Sequence, residues 1–151
     1  MGVRQRPAPS NDGVVFEEGS GLAWLCRVSA DRYVASVHGV VSEELVRAQL
    51  RWVDDQFGEG LRWCASDLSE VRALGARAAE VASEWAQRRA TMPVMLILFR
   101  TKLTEMSLSL YQLVTRHPLE VFSDPARFED AVRRELPMYR RRSLTDFKAK
   151  G

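Results

Sequence analysis

The side chains able to do chemistry gather where apolar runs end. Asp67 and Ser69 close the run Arg62-Trp63-Cys64-Ala65-Ser66-Asp67-Leu68-Ser69, His38 and Ser42 follow the run from Tyr33 to Val37, and Arg100, Thr101 and Lys102 follow Val94 to Phe99. A base, a hydroxyl and a carboxylate are the parts of an activated nucleophile, with His38 acting on Ser42 and Asp67 orienting the ring. Such a nucleophile sits on a strained turn of the Gly-x-Ser-x-Gly kind, and the chain has none. Enzyme activity is therefore not expected. The plainer reading makes Asp67 and Ser69 an Asx or Ser turn that caps the helix after them. Arg100 and Lys102 are then solvated loop charges, or receivers of an anion. Two cysteines and two histidines give no metal-ligand spacing, so neither metal nor cofactor is expected.

Positioning these residues requires strands whose carboxyl ends share one edge, where ligands and partners meet an open α/β sheet. Gly13 to Glu18 reads as a short strand. Leu22, Trp24, Cys26 and Val28 alternate with their neighbours, as do Tyr33, Ala35 and Val37, so a hairpin is expected, ended by Gly39. Ser42 is a good N-cap, and Glu43 and Glu44 suit the positive end of a helix. Val46, Leu50, Val53 and Phe57 recur at helical spacing, and Gly58 and Gly60 stop that helix. A long crossover after a hairpin implies a parallel strand next, which is the run ending in Asp67. Leu74-Gly75 should begin a second helix whose inner side is largely alanine. Val94 to Phe99 is apolar throughout, as a strand covered on both faces would be. Leu103, Met106, Leu110 and Leu113 mark a third helix, Leu119 to Phe122 a last strand, and Ser123-Asp124-Pro125 the cap of a final helix with Phe128, Val132 and Leu136 inward.

The 151 residues suit one domain with one full core, and 46% hydrophobic with 28% charged residues is an ordinary globular composition. The net charge of +2 is unevenly spread: residues 137–151 carry +4 and the first eleven +2, which leaves −4 on the body. A basic patch on the fold is thus not expected, nor specific nucleic-acid binding. Residues 1–12 lack apolar periodicity and read as a disordered lead; residues 137–151, with Arg140-Arg141-Arg142, read as a flexible basic tail. Cys26 and Cys64 read as free thiols in a reducing compartment. The start has no apolar secretory core, and the longest apolar run is too short to span a bilayer, so a cytoplasmic protein is expected.

The element order β-β-β-α-β-α-β-α-β-α describes an α/β fold with a mixed sheet of four to five strands and about four helices. Over residues 13–136 it resembles the STAS domain of anti-sigma-factor antagonists, in particular its SpoIIAA-like branch. Three features carry the resemblance: the strand and turn Cys64-Ala65-Ser66-Asp67-Leu68-Ser69-Glu70-Val71, the apolar strand 94–99 after the next helix, and Val121-Phe122-Ser123-Asp124-Pro125 with Phe128 and Ala131 at the end. The resemblance implies a non-enzymatic bacterial regulatory domain that binds a protein partner, and it allows a homodimer. In the antagonists a phosphorylatable serine follows Asp-Leu-Ser at the helix start. Here that stretch is Arg72-Ala73-Leu74-Gly75-Ala76-Arg77, without a serine, threonine or tyrosine, so the usual switch is not expected.

The expected partner surface comprises His38, Ser42, Glu43, Asp67, Ser69, Ala76, Arg77, Arg100, Thr101 and Lys102. The alternative implied by the fold is a carrier of a small apolar or lipid-like ligand, with a pocket lined by Trp52, Phe57, Met106 and Leu110.

Overall fold

The computed structural model describes residues 2–100 and 119–148. Thr101, Lys102 and the expected third helix with Met106 and Leu110 lie outside the described residues. Seven strands form one sheet in strict chain order: β1 (Arg4–Pro7), β2 (Val14–Glu18), β3 (Gly21–Ser29), β4 (Arg32–Val41), β5 (Trp63–Leu74), β6 (Val94–Leu98) and β7 (Leu119–Phe122). The pairings from β1 to β4 are antiparallel and those from β4 to β7 parallel. Among the described residues there are three α-helices: α1 (Glu43–Phe57), α2 (Ala78–Arg88) and α3 (Pro125–Glu135). The sheet is therefore mixed, as expected, but wider than the four to five strands anticipated.

The helices divide the core in two. On one face, Leu45 and Val53 of α1 and Trp85 and Ala86 of α2 pack against Leu25, Val37, Cys64 and Ile97 of the sheet. On the other, Phe128 and Val132 of α3 pack with Trp24, Val34, Trp63, Ala65 and Leu98, and Phe147 joins them. Strands covered on both sides favour apolar residues at successive positions, which is why β6 and the first three residues of β5, Trp63 to Ala65, read as continuous apolar runs. The caps are as expected. Ser42 accepts the backbone N–H of Leu45 at 3.1 Å, and Asp124 accepts that of Ala126 at 3.0 Å, with Pro125 in the first turn.

Four local expectations are overturned. Gly39 does not end β4; it holds φ +81° inside the strand, where a Cβ would lie 2.0 Å from the Ser20 carbonyl oxygen. Asp67-Leu68-Ser69 is not a turn into a helix. β5 runs on to Leu74, paired with Val41, and α2 starts at Ala78 rather than Leu74-Gly75. The ladder to β4 shifts register between Ser36 and His38, so β5 bulges at this point instead of stopping. The lead is not disordered: β1 pairs with β2, Ala8 is buried, and a turn from Ala8 to Gly13 closes through two backbone hydrogen bonds.

The fourth concerns the basic tail. Residues up to Lys148 lie on the α3 face, and Leu144–Phe147 form a 3-10 turn capped reciprocally by Ser143 and Asp146. Phe147 is only 1% exposed and stacks on Trp24 with ring centroids 5.4 Å apart. Arg142 lies over the other part of that aromatic cluster, 4.8 Å from the Trp24 ring, and donates to Asp12 at 2.7 Å. A single large aromatic side chain, buried and stacked, supplies the driving force that a purely polar tail would lack.

Candidate functional site

Alternation along β5 carries Asp67 and Ser69 onto the α3 face after Trp63 and Ala65, and there they are 2% and 3% exposed. Asp67 Oδ1 accepts the Ser69 backbone N–H at 3.0 Å and its hydroxyl at 2.6 Å. This is the local hydrogen bonding of an Asx turn, made within a strand. Asp67 Oδ2 accepts Arg141 Nε at 2.9 Å, and Arg141 Nη2 donates to Ser69 Oγ at 2.8 Å. A guanidinium thus spans carboxylate and hydroxyl together, the geometry for which its planar fork is suited. The Arg141 backbone N–H is itself held by Glu129 of α3 at 2.9 Å.

His38 sits beside this group, 4% exposed, with its Nε2 2.8 Å from Ser36 Oγ and its ring 5.7 Å from that of Phe147. Burial lowers its pKa from 6.5, against the opposing pull of Asp67 and Glu70 and with the help of Arg141. The histidine is held against Ser36, and Ser42 is engaged as the cap of α1, so the relay of His38 with Ser42 is not assembled. Among the described residues no group of three or more His, Cys, Asp or Glu side chains converges on a metal-sized position.

The expected partner surface therefore separates into parts. His38, Asp67 and Ser69 are buried beneath the C-terminal segment and face inward. Ser42, Glu43, Ala76 and Arg77 meet at an outer corner on the other side of the sheet, where the Gly75 N–H donates to the Val41 carbonyl at 2.8 Å. Arg77 pairs with Glu43 at 3.4 Å, Glu43 also pairs with Arg47 at 2.9 Å, and Ala76 is exposed. Arg100 stands apart at the sheet edge, donating to Glu70 at 3.1 Å. Sequence reasoning missed Arg141, Arg142 and Phe147. The usable signal was Ser143-x-x-Asp146, a capping-box spacing, followed at once by a lone phenylalanine in a polar run.

Trp52 and Phe57 both lie on α1. They pack on each other and on Tyr33, with centroids 5.8 to 6.0 Å apart. An apolar cavity of about 190 Å3 lies further along α1, between the sheet and α1 and α2, with Val46, Leu50, Leu68, Ala82, Met92 and Ile97 among its lining residues. Both cysteines are free. Cys64 is buried, which pushes its thiol up to about 12, and Cys26 is half-buried.

No family model matches the chain, and no curated protein matches it. Solved structures do. An anti-sigma factor antagonist from Mycobacterium paratuberculosis superposes with a TM-score of 0.54 at 18% identity, covering 76% of this chain and 95% of that one. An uncharacterized protein with a SpoIIAA-like fold from Shewanella loihica PV-4 gives 0.54 at 14% identity, with the same coverage of both chains. The fold is SpoIIAA-like. In this SpoIIAA-like domain the strand carrying Asp-Leu-Ser and the apolar strand beside it are β5 and β6, paired in parallel from Trp63 with Val94 to Asp67 with Leu98. Among the described residues no helix is long and apolar enough to cross a membrane.

Proposed function

We propose that the chain is a non-enzymatic regulatory domain that binds a protein partner at the corner formed by Ser42, Glu43, Ala76 and Arg77. The observation that carries this reading is the exposed turn before α2. Ala76 and Arg77 are exposed just beyond the carboxyl end of β5, in a fold shared with an anti-sigma factor antagonist. Fold likeness gives only an analogy for function; the site has to carry the rest. At this corner a small side chain permits close approach, while the Arg77–Glu43 pair fixes orientation. No hydroxyl lies between Arg72 and Arg77, so binding here is not gated by a phosphoserine at that position.

The test is an affinity pull-down from the native cells with Ala76→Trp and Arg77→Glu as controls. Both residues are exposed, so the variants keep the fold. A protein captured by the parent and lost from both variants supports the corner; equal capture by all three removes it.

A second reading, a carrier of a small apolar ligand, is favoured by the cavity between the sheet and α1 and α2, whose walls are predominantly apolar, with Tyr33, Trp85 and Phe99 among the aliphatic side chains. Native mass spectrometry of protein from its own cells tests it. A bound species lost on Ala82→Phe supports the carrier, and apo protein alone counts against it.

A further inference from the structure

The two basic ends of the chain, read in sequence as separate solvated segments, are folded against each other. Arg4 and Arg6 of β1 and Arg141, Arg142 and Lys148 of the C-terminal segment line one groove of about 1080 Å3, to which Arg72 and Arg100 also contribute. An Arg6 N–H donates to the Phe147 carbonyl, which fixes one wall to the other. Glu17 and Glu70 are the carboxylates among the described lining residues. Asp67 and Asp12 hold Arg141 and Arg142 from beneath. Counting all four against the seven cations leaves an excess of three positive charges.

The groove is built in depth. The side chains of Arg6, Arg141 and Arg142 are recessed, at 22%, 30% and 20% exposure, while Arg4 and Arg100 stand on the rim at 82% and 58%. Recessed arginines held in place by carboxylates are pre-oriented, so less side-chain entropy is lost when an anion docks. Six of the seven cations are arginines, whose fork matches a carboxylate. No Phe, Tyr or Trp is among the described lining residues, so the stacking platforms on which single-stranded nucleic acid rests are missing there. A flat bilayer surface reaches the rim cations and not the recessed ones.

We propose that this groove binds an acidic, extended peptide segment, its Asp or Glu carboxylates received by the arginines of the two chain ends. That the segment belongs to a regulatory partner rests on the reading given under Proposed function; the groove's preference for an acidic peptide does not.

The purified full chain is titrated into a fluorescein-labelled Glu-rich peptide and followed by anisotropy, with the Gln-for-Glu peptide as control. The exposed cations are reversed together, Arg4→Glu, Arg72→Glu and Lys148→Glu, and compared with a reversal of exposed arginines elsewhere, Arg51→Glu, Arg88→Glu and Arg127→Glu. Circular dichroism checks that both variants are folded. The expected result is binding of the Glu peptide alone, weakened about tenfold or more by the groove variant and by less than about threefold by the other, with affinity falling as salt rises. Equal loss in both variants, equal binding of the Gln peptide, or no binding at all overturns the proposal. So does tighter binding of an oligo-dT strand or a phosphatidylserine vesicle through the same three residues, since the groove would then serve another class of polyanion. The peptide is synthetic, so a failed pull-down at the Ala76 corner leaves this result standing, and the reverse holds as well.

Discussion

Asp67 shows how far burial alters what a residue can do. At the end of a strand it would present a carboxylate to a partner; beneath Arg141 it is an anchor. Breaking a buried ion pair leaves an uncompensated charge, which costs about 3–5 kcal/mol when both partners are fully buried. Arg141 is 30% exposed, so water recovers part of that, and Arg141→Ala is expected to destabilise the domain by about 2–3 kcal/mol in urea unfolding. His38 makes a pH-dependent contribution of known sign. Its folded pKa lies below 6.5, so between that value and 6.5 the unfolded chain binds the extra proton. Stability is therefore full above pH 6.5 and declines as pH falls through the folded pKa. Urea midpoints measured across that range should slope upward with pH, and the slope should shrink in His38→Gln. At the thiols, Cys64 should stay unreactive to a disulfide reagent at pH 8 until the protein unfolds, while half-buried Cys26 reacts first.

At the scale of elements, what was legible in the sequence was whatever repeats. The alternation in β3 and β4, the helical stripe of α1, the caps Ser42 and Asp124, and the apolar β6 each follow from a period or a preferred residue type. What escaped was set by contacts between distant segments. β1 has no periodicity of its own and is a strand only because β2 offers it a hydrogen-bonding edge. β5 outlasts its apolar stretch because β4 continues beside it to Val41. Gly39 looked like a terminator, but at φ +81° it lets β4 pass close against the Ser20 carbonyl and continue to Val41, with the ladder to β5 shifting register just after it. Gly39→Ala would press a methyl group onto the Ser20 carbonyl and hold alanine in the left-handed region, so a loss of about 1–3 kcal/mol is expected in thermal or urea unfolding. His38, Asp67 and Ser69 were expected at exposed strand ends and are buried inside β4 and β5, because their cover, Arg141 to Phe147, came from a segment whose sequence looked solvated.

On the scale of the whole molecule, every strand among the described residues neighbours the one before it in sequence, and the sheet can be laid down by successive local steps. The C-terminal segment is different. It reaches back across the entire sheet, and the Arg6 contact with the Phe147 carbonyl joins residues 141 positions apart. Phe147→Ala is expected to cost about 3–5 kcal/mol, because a fully buried aromatic ring is lost from beside Trp24 and His38. Tryptophan fluorescence and circular dichroism should still report one shared transition if the segment is part of the same cooperative unit. The separation between these contacts also has a consequence in time. Contacts between segments so far apart require closing the longest loop, and they tend to form late, after the transition state for folding has been crossed. Mutations in interactions that are absent from that state leave the folding rate alone and accelerate unfolding. In stopped-flow experiments Phe147→Ala should thus leave the refolding limb of the chevron almost unmoved and raise the unfolding limb. The clasp between the two chain ends is then chiefly a brake on unfolding, setting how long the native state lasts once it has formed.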